Sequence, residues 1–172
     1  MKYKYIIIGT SRCGKSTVGK TLAESFNGTF LDVVDYVLRF IKKNNLIQSE
    51  FGADLLKGPY EDLCRDLAKG KKWDVLEIAS DYPEEFLPKI ISTTKFPTKL
   101  IFCNCPLDVC LKRNKKCKRV VPVETIKNQN KYDESYYRDL AKNLKIQLIV
   151  LDSTQPPAKV FQNLLYQLKE LF

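Results

Sequence analysis

The sequence predicts an α/β fold of three layers, with about five parallel strands between two layers of helices. Two observations carry this. Strand-like and helix-like segments alternate along the whole chain. The first strand also runs straight into a glycine-containing loop that opens a helix. Size agrees: 172 residues, 44% of them hydrophobic and 28% charged, make one domain that can bury a core without disulfide or metal staples.

The elements follow in order. Tyr5 to Ile8 is a short apolar run stopped by Gly9, as a buried parallel strand would be. From Lys15 to Phe26, Val18, Leu22, Ala23 and Phe26 recur at helical spacing. Thr29 to Val34 reads as a strand and Asp35 to Lys43 as a helix. Asp54 to Lys69 is a helix with charges four apart, such as Glu61 and Arg65. Val75 to Ala79 is a strand, Glu84 to Ser92 a helix and Lys99 to Cys103 a strand. Leu107 to Lys116 and Val123 to Leu140 are helices, the second opened by Pro122 at N1. Ile146 to Leu151 is the last strand, and Pro157 to Leu171 the closing helix. No repeat or low-complexity linker interrupts this order, so 1–172 is expected to be a single domain.

Composition limits the chemistry. Lys plus Arg is 29 against 20 for Asp plus Glu, a net charge of +9 that favours anionic partners such as nucleotides, nucleic acid or acidic lipid. Histidine is absent. That excludes Ser-His-Asp and Cys-His mechanisms and His-containing zinc sites within this chain. A general base working near neutral pH is then first a carboxylate. The cysteines are Cys13, Cys64, Cys103, Cys105, Cys110 and Cys117, with no C-x-x-C pair. They read as scattered reduced thiols of a cytoplasmic protein. Met1 to Ile8 does not read as a signal peptide, because the apolar run Tyr5 to Ile8 is too short for its apolar core and a glycine-containing loop follows at once; no apolar stretch approaches 18 residues, so no membrane role is expected.

The strongest motif is Gly9-Thr10-Ser11-Arg12-Cys13-Gly14-Lys15-Ser16-Thr17, which fits G-x-x-x-x-G-K-[ST] at every fixed position. Glycines allow backbone conformations that side chains forbid, and the loop amides then cradle phosphate oxygens. Lys15 would reach the β- and γ-phosphates, the Ser16 hydroxyl would bind Mg²⁺, and the following helix would add its N-terminal dipole. The expected fold is therefore a P-loop NTPase of the nucleotide-kinase kind, with ATP and Mg²⁺ as cofactors. The plainer alternative is an ordinary glycine turn before a helix. Cys13 fills a variable slot and is assigned no chemistry.

Asn130-Lys131-Tyr132-Asp133 matches the N-K-x-D string of GTPases, but it lies in a polar helical stretch and no D-x-x-G accompanies it. The other candidates suit a small kinase. Asp35 opens a helix after the second strand, with Arg39 one turn on. Asp35 could accept a proton from an attacking hydroxyl, and Arg39 could hold a phosphate on the acceptor. The plainer alternative is a helix cap paired with Arg39. Asp81 follows the third strand at the edge where ligands bind in parallel sheets, or it merely starts the next helix. Glu77, inside that strand, ranks below Asp81. Lys112 to Arg119 holds six cations in eight residues. It is either a solvated face or a basic lid, at about 112–121, that closes over phosphates. Arg113 is its first candidate and Arg119 its second.

Together these residues resemble the kinase domain of bacteriophage-type polynucleotide 5′-hydroxyl kinases. The resemblance rests on the Gly9 to Thr17 loop, on Asp35-Tyr36 with Arg39, on Ile78-Ala79-Ser80-Asp81, and on Leu111-Lys112-Arg113-Asn114 followed by Val121-Pro122-Val123 and Ile126. It implies ATP binding by the loop through Lys15 and Ser16, base catalysis by Asp35, acceptor binding by Arg39 and a lid role for Arg113. The chain departs from that pattern. Arg39 is one residue late, the stretch from Arg113 to Pro122 is one short, and Cys117 stands where a second lid arginine is expected. Residues 40–73 match nothing in the family, and the D-x-D-G-T motif of a fused phosphatase is absent.

Three readings remain from sequence. The first is an ATP-dependent kinase acting on a hydroxyl, leaning to the 5′ end of DNA or RNA. The second is a small-metabolite or nucleotide kinase of the shikimate- or adenylate-kinase type, although between Arg39 and Lys95 only Arg65 is an arginine. The third is a nucleotide-dependent nucleic-acid-binding protein, with Tyr132, Tyr136 and Tyr137 stacking on bases. The plainer view of those tyrosines is that they pack a helix on the sheet.

Overall fold

A computed structural model describes residues 3–46 and 53–169. Leu171 of the closing helix and positions 47–52 of the unmatched stretch lie outside these. Five parallel strands form one sheet: β1 (Lys4–Ile8), β2 (Phe30–Asp32), β3 (Val75–Glu77), β4 (Thr98–Asn104) and β5 (Gln147–Asp152), in the order β2-β3-β1-β4-β5. The helices are α1 (Lys15–Ser25), α2 (Val33–Lys43), α3 (Lys57–Ala68), α4 (Pro83–Ser92), α5 (Leu107–Lys115), α6 (Val123–Gln129), α7 (Glu134–Asn143) and α8 (Pro157–Lys169), with a 3₁₀ turn at Ala53–Leu56.

The near-continuous apolar runs of β1 and β4 follow from burial on both faces. Side chains alternate across the sheet, so Ile7 and Ile101 pack with Val18, Leu22 and Leu164 of α1 and α8. Ile6, Ile8, Leu100 and Phe102 pack on the other side with Leu63, Phe86 and Tyr137 of α3, α4 and α7. The expected three-layer α/β fold is the observed one. All six cysteines are free. Among the described residues no helix is long and apolar enough to cross a membrane.

The third strand ends at Glu77, short of the expected Ala79, and the helix expected from Asp54 starts at Lys57 after the 3₁₀ turn; three further differences bear on the site. The second strand does not run to Val34: it ends at Asp32, whose carboxylate accepts from the Val34 amide at 2.9 Å and caps α2. Asp35 therefore lies inside the first turn of that helix. The expected Val123–Leu140 helix is two helices. Asn130 ends α6, its amide reaching Thr10 Oγ1 at 3.1 Å and the Cys105 carbonyl at 3.2 Å, and Asp133 restarts the chain by capping α7 through the Tyr136 amide. Pro122 is the N-cap of α6 rather than N1. The N-K-x-D string is thus a helix junction tied to the phosphate loop. The tyrosines pack inward: the Tyr137 ring lies 4.5 Å from Phe102 and its hydroxyl meets Ser80, while Tyr136 donates to Glu84.

Candidate functional site

The loop from Gly9 to Thr17 joins the central strand β1 to α1 at the carboxyl edge of the sheet, so it is held by the most buried part of the fold. Gly9 has φ +153°, and a Cβ there would come within 2.7 Å of the Cys103 carbonyl and 2.9 Å of Cys13 Sγ. Gly14 has φ +102° and Arg12 adopts the left-handed conformation at φ 74°. Such alternation turns successive amides to one side, the geometry that binds anions.

Lys15 is buried, and its Nζ donates to the Thr10 carbonyl at 2.9 Å. Burial works against the ammonium, but Cys13 and Glu77 beside it hold its pKa above the usual lysine range. Ser16 Oγ donates to Glu77 Oε1 at 3.0 Å. Burial raises the Glu77 carboxyl to about 7 against the pull of Lys15. Its Oε2 is buried and meets no protein partner. A serine hydroxyl and an unsatisfied carboxylate oxygen beside a phosphate loop are hard donors of the kind Mg²⁺ takes, with phosphates and water completing its shell. Glu77, ranked below Asp81 from sequence, is thus the carboxylate in contact with the loop. Its signal was a charge set inside an otherwise apolar strand.

Asp32 is the second carboxylate that sequence reasoning passed over. It ends β2 directly opposite Glu77 in the strand register. Burial raises its pKa; the Val34 amide and Lys15 oppose that, and Asp35 reinforces it. Asp35 itself is exposed. Arg39 does not pair with its carboxylate: Nε donates to the Asp35 carbonyl at 3.3 Å and the guanidinium lies 4.2 Å over the Tyr36 ring. Arg39 borders a separate groove with Asp62 and Asp66 of α3.

The basic stretch divides between two sides. Arg113 donates to the Ser153 carbonyl at 2.8 Å and the Arg12 carbonyl at 3.3 Å, which places it beside the loop. It lines a hollow there with Gly14, Lys15, Ser16, Thr17, Glu77, Lys116 and Cys117. Arg119 faces the other way, into a cleft that starts at Ser11. Between them Asn114 acts as a clasp. Its Oδ1 accepts from Val121 N at 3.0 Å and Arg12 Nε at 3.1 Å, and its Nδ2 donates to the Val121 carbonyl at 2.8 Å. Asn114→Ala would orphan buried backbone groups and is expected to lower unfolding stability by about 1–3 kcal/mol. Lys112→Ala, which removes only the exposed pair with Asp108, should cost less than about 1 kcal/mol. Urea titrations of the two variants check the contrast.

The cleft beyond Ser11 is walled by Val33, Val34, Val37, Ile41, Leu56, Tyr60 and Val120 to Pro122. At its polar end Gln129 Nε2 donates to both Asp81 oxygens at 2.9 and 3.1 Å, while its Oε1 accepts the Ser11 amide at 2.7 Å. Gln129 carried no signal in the sequence. Burial lifts Asp81 to about 7, against the Gln129 amide and Lys15. Tyr60 and Tyr137 also lie within its electrostatic reach.

The folded chain therefore holds a proton on Asp81 that the unfolded chain releases between about pH 4 and 7. The stabilisation from this group is full below that window and lost as pH rises through it. Asp81→Asn is expected to make the decline of the urea midpoint from pH 5 to 7 shallower than in the wild type; an unchanged decline would refute it.

No protein-family model matches the sequence. A shikimate kinase of Clostridium beijerinckii is 33% identical over 72 residues, 42% of this chain and 43% of that protein, so the match spans under half the length of the relative. A sugar kinase from Janibacter sp. superposes with a TM-score of 0.70 at 15% identity, over 98% of this chain and 95% of the other. Shikimate kinase from Aquifex aeolicus does so with a TM-score of 0.59 at 26% identity, over 96% of each. The fold is that of the P-loop kinases.

Proposed function

We propose that the chain is an ATP-dependent kinase that transfers the γ-phosphoryl group to the hydroxyl of a small molecule. The observation that carries this is the adjacency of two compartments at one sheet edge. One is the phosphate loop with Lys15, Ser16 and Glu77. The other is an apolar cleft sharing Ser11 with that loop. Similarity to kinases of small hydroxylated metabolites supports the reading. The nucleic-acid acceptor implied by the lid resemblance finds no such support.

In this reading the loop amides and Lys15 bind the β- and γ-phosphates. Ser16 and Glu77 would hold Mg²⁺, which when bound offsets charge on those phosphates. The acceptor oxygen attacks the γ-phosphorus, the bond to the β–γ bridging oxygen breaks, and ADP leaves with that electron pair. Asp32 takes the hydroxyl proton, with Asp35 next to it at the helix start. Arg113 and Lys116 steady the transferring group from the nucleotide side. Arg119 faces the acceptor.

The test is transfer from γ-labelled ATP at neutral pH with Mg²⁺. One arm offers sugars, hydroxy acids and nucleosides, and the other a 5′-hydroxyl oligonucleotide. Label on a small molecule is expected. Label on the oligonucleotide alone would restore the polynucleotide acceptor, and label on nothing would remove the kinase reading.

A further inference from the structure

We propose that the acceptor is an amino-bearing nucleoside, its flat base lying between the valine wall and Tyr60 with the exocyclic amino group donating to Asp81. This rests on the kinase reading for the fate of the hydroxyl, but not for the binding of the base.

The polar inventory of the cleft leads to it. Both ends of the Gln129 amide are committed, to Ser11 and to Asp81. The Tyr60 hydroxyl is committed to the backbone of Ala79, at 2.9 Å to its carbonyl and 3.0 Å to its amide. The end of the cleft is therefore rigid, and what Gln129 and Tyr60 leave to a ligand there is Asp81, only 7% exposed and, above about pH 7, an ionised acceptor. A buried acceptor without a charged partner of its own calls for an N–H donor.

The same inventory disfavours other acceptors. Among the described residues lining the cleft Arg119 is the one cation, so above about pH 7 a ligand carboxylate or phosphate seated at Asp81 would meet an anion. A polyol needs many hydrogen bonds, and Val33, Val34, Val37, Ile41 and Leu56 supply none. A flat ring with an amino edge uses both parts: apolar faces bury against the walls and the amino group meets the carboxylate. Adenine and cytosine place an amino group next to a ring nitrogen. Hypoxanthine and uracil put a carbonyl oxygen at that position, against the carboxylate. Because Ser11 belongs to both compartments, a base held at Asp81 leaves its sugar towards the phosphate loop.

Calorimetry on the full chain with ADP and Mg²⁺ at about pH 8, where Asp81 is ionised, tests the binding, using adenosine, cytidine, inosine, uridine, shikimate and gluconate as probes. At least one amino nucleoside is expected to bind tenfold or more tightly than its deaminated counterpart, and Asp81→Asn should narrow that ratio to within about threefold. If the variant does not fold, the wild-type ratio decides. Equal binding of adenosine and inosine and of cytidine and uridine would overturn the proposal, as would binding of the acids alone. Label transfer in parallel separates the two claims. Amino nucleosides that bind without accepting phosphate would sink the kinase reading and leave the base site standing. Transfer only to an acid or sugar, with no nucleoside bound, would do the reverse.

Discussion

Replacing Lys15 by methionine is expected to reduce phosphoryl transfer by about 10²–10³-fold, the loss typical when one preorganised donor to developing charge is removed. ATP affinity should fall as well, because Lys15 serves the bound phosphates before reaction and during it. The fold should survive. The ammonium donates to the Thr10 carbonyl and, at 4.0 Å, to Cys13 Sγ, and Glu77 beside it already holds its proton up to about 7, so it neutralises when the cation is gone. Single-turnover transfer and nucleotide titration, with circular dichroism as the control for folding, check this. A variant that folds and binds ATP as tightly as the wild type would show that Lys15 does not face the nucleotide.

The second large effect separates two aspartates. Asp32→Asn is expected to lower turnover by about 10²–10⁴-fold, the range for loss of a general base, with ATP affinity little changed. Asp35→Asn should cost under about tenfold. Asp32 sits opposite Glu77 and within electrostatic reach of Lys15 and Arg119, whereas Asp35 is exposed at the third position of α2. Equal losses would make the pair share the proton. A loss confined to Asp35→Asn would return the base to the residue implied by the family resemblance.

How far the site could be read in advance depended on how local each part is. The phosphate loop was legible because its whole signature lies in nine consecutive residues. Asp32 was hidden by its neighbours: Val33 and Val34 have strand propensity, which extended the expected strand past it, and burial of Val33 in a helix overrode that. The helix break at Asn130 answers to Thr10, 120 residues away, and a pattern read in short windows cannot carry such a partner. The Asp81–Gln129 pair spans 48 residues for the same reason. Glu77 was visible but misweighted, because a charge in an apolar strand means little until the strand's end is set beside the loop.

The strand order has a consequence for how the chain is made. β1 lies at the centre of the sheet, yet its neighbours are β3 and β4, and β2 reaches the sheet only through β3. Synthesis delivers the phosphate loop early and the strands that brace it late. At roughly 5–20 residues per second, about 5–20 s pass between Gly9 and the end of β4. Until β3 is made Tyr5 to Ile8 is an apolar segment with no strand to pair with, and until β4 follows one edge of β1 stays open and the loop has no Cys103 carbonyl to close against. A nascent chain halted before residue 98 should therefore bind no nucleotide and attract chaperones. Nucleotide affinity should arise in one step once β4 has emerged, because the loop's conformation is set by long-range pairing and not by its own nine residues.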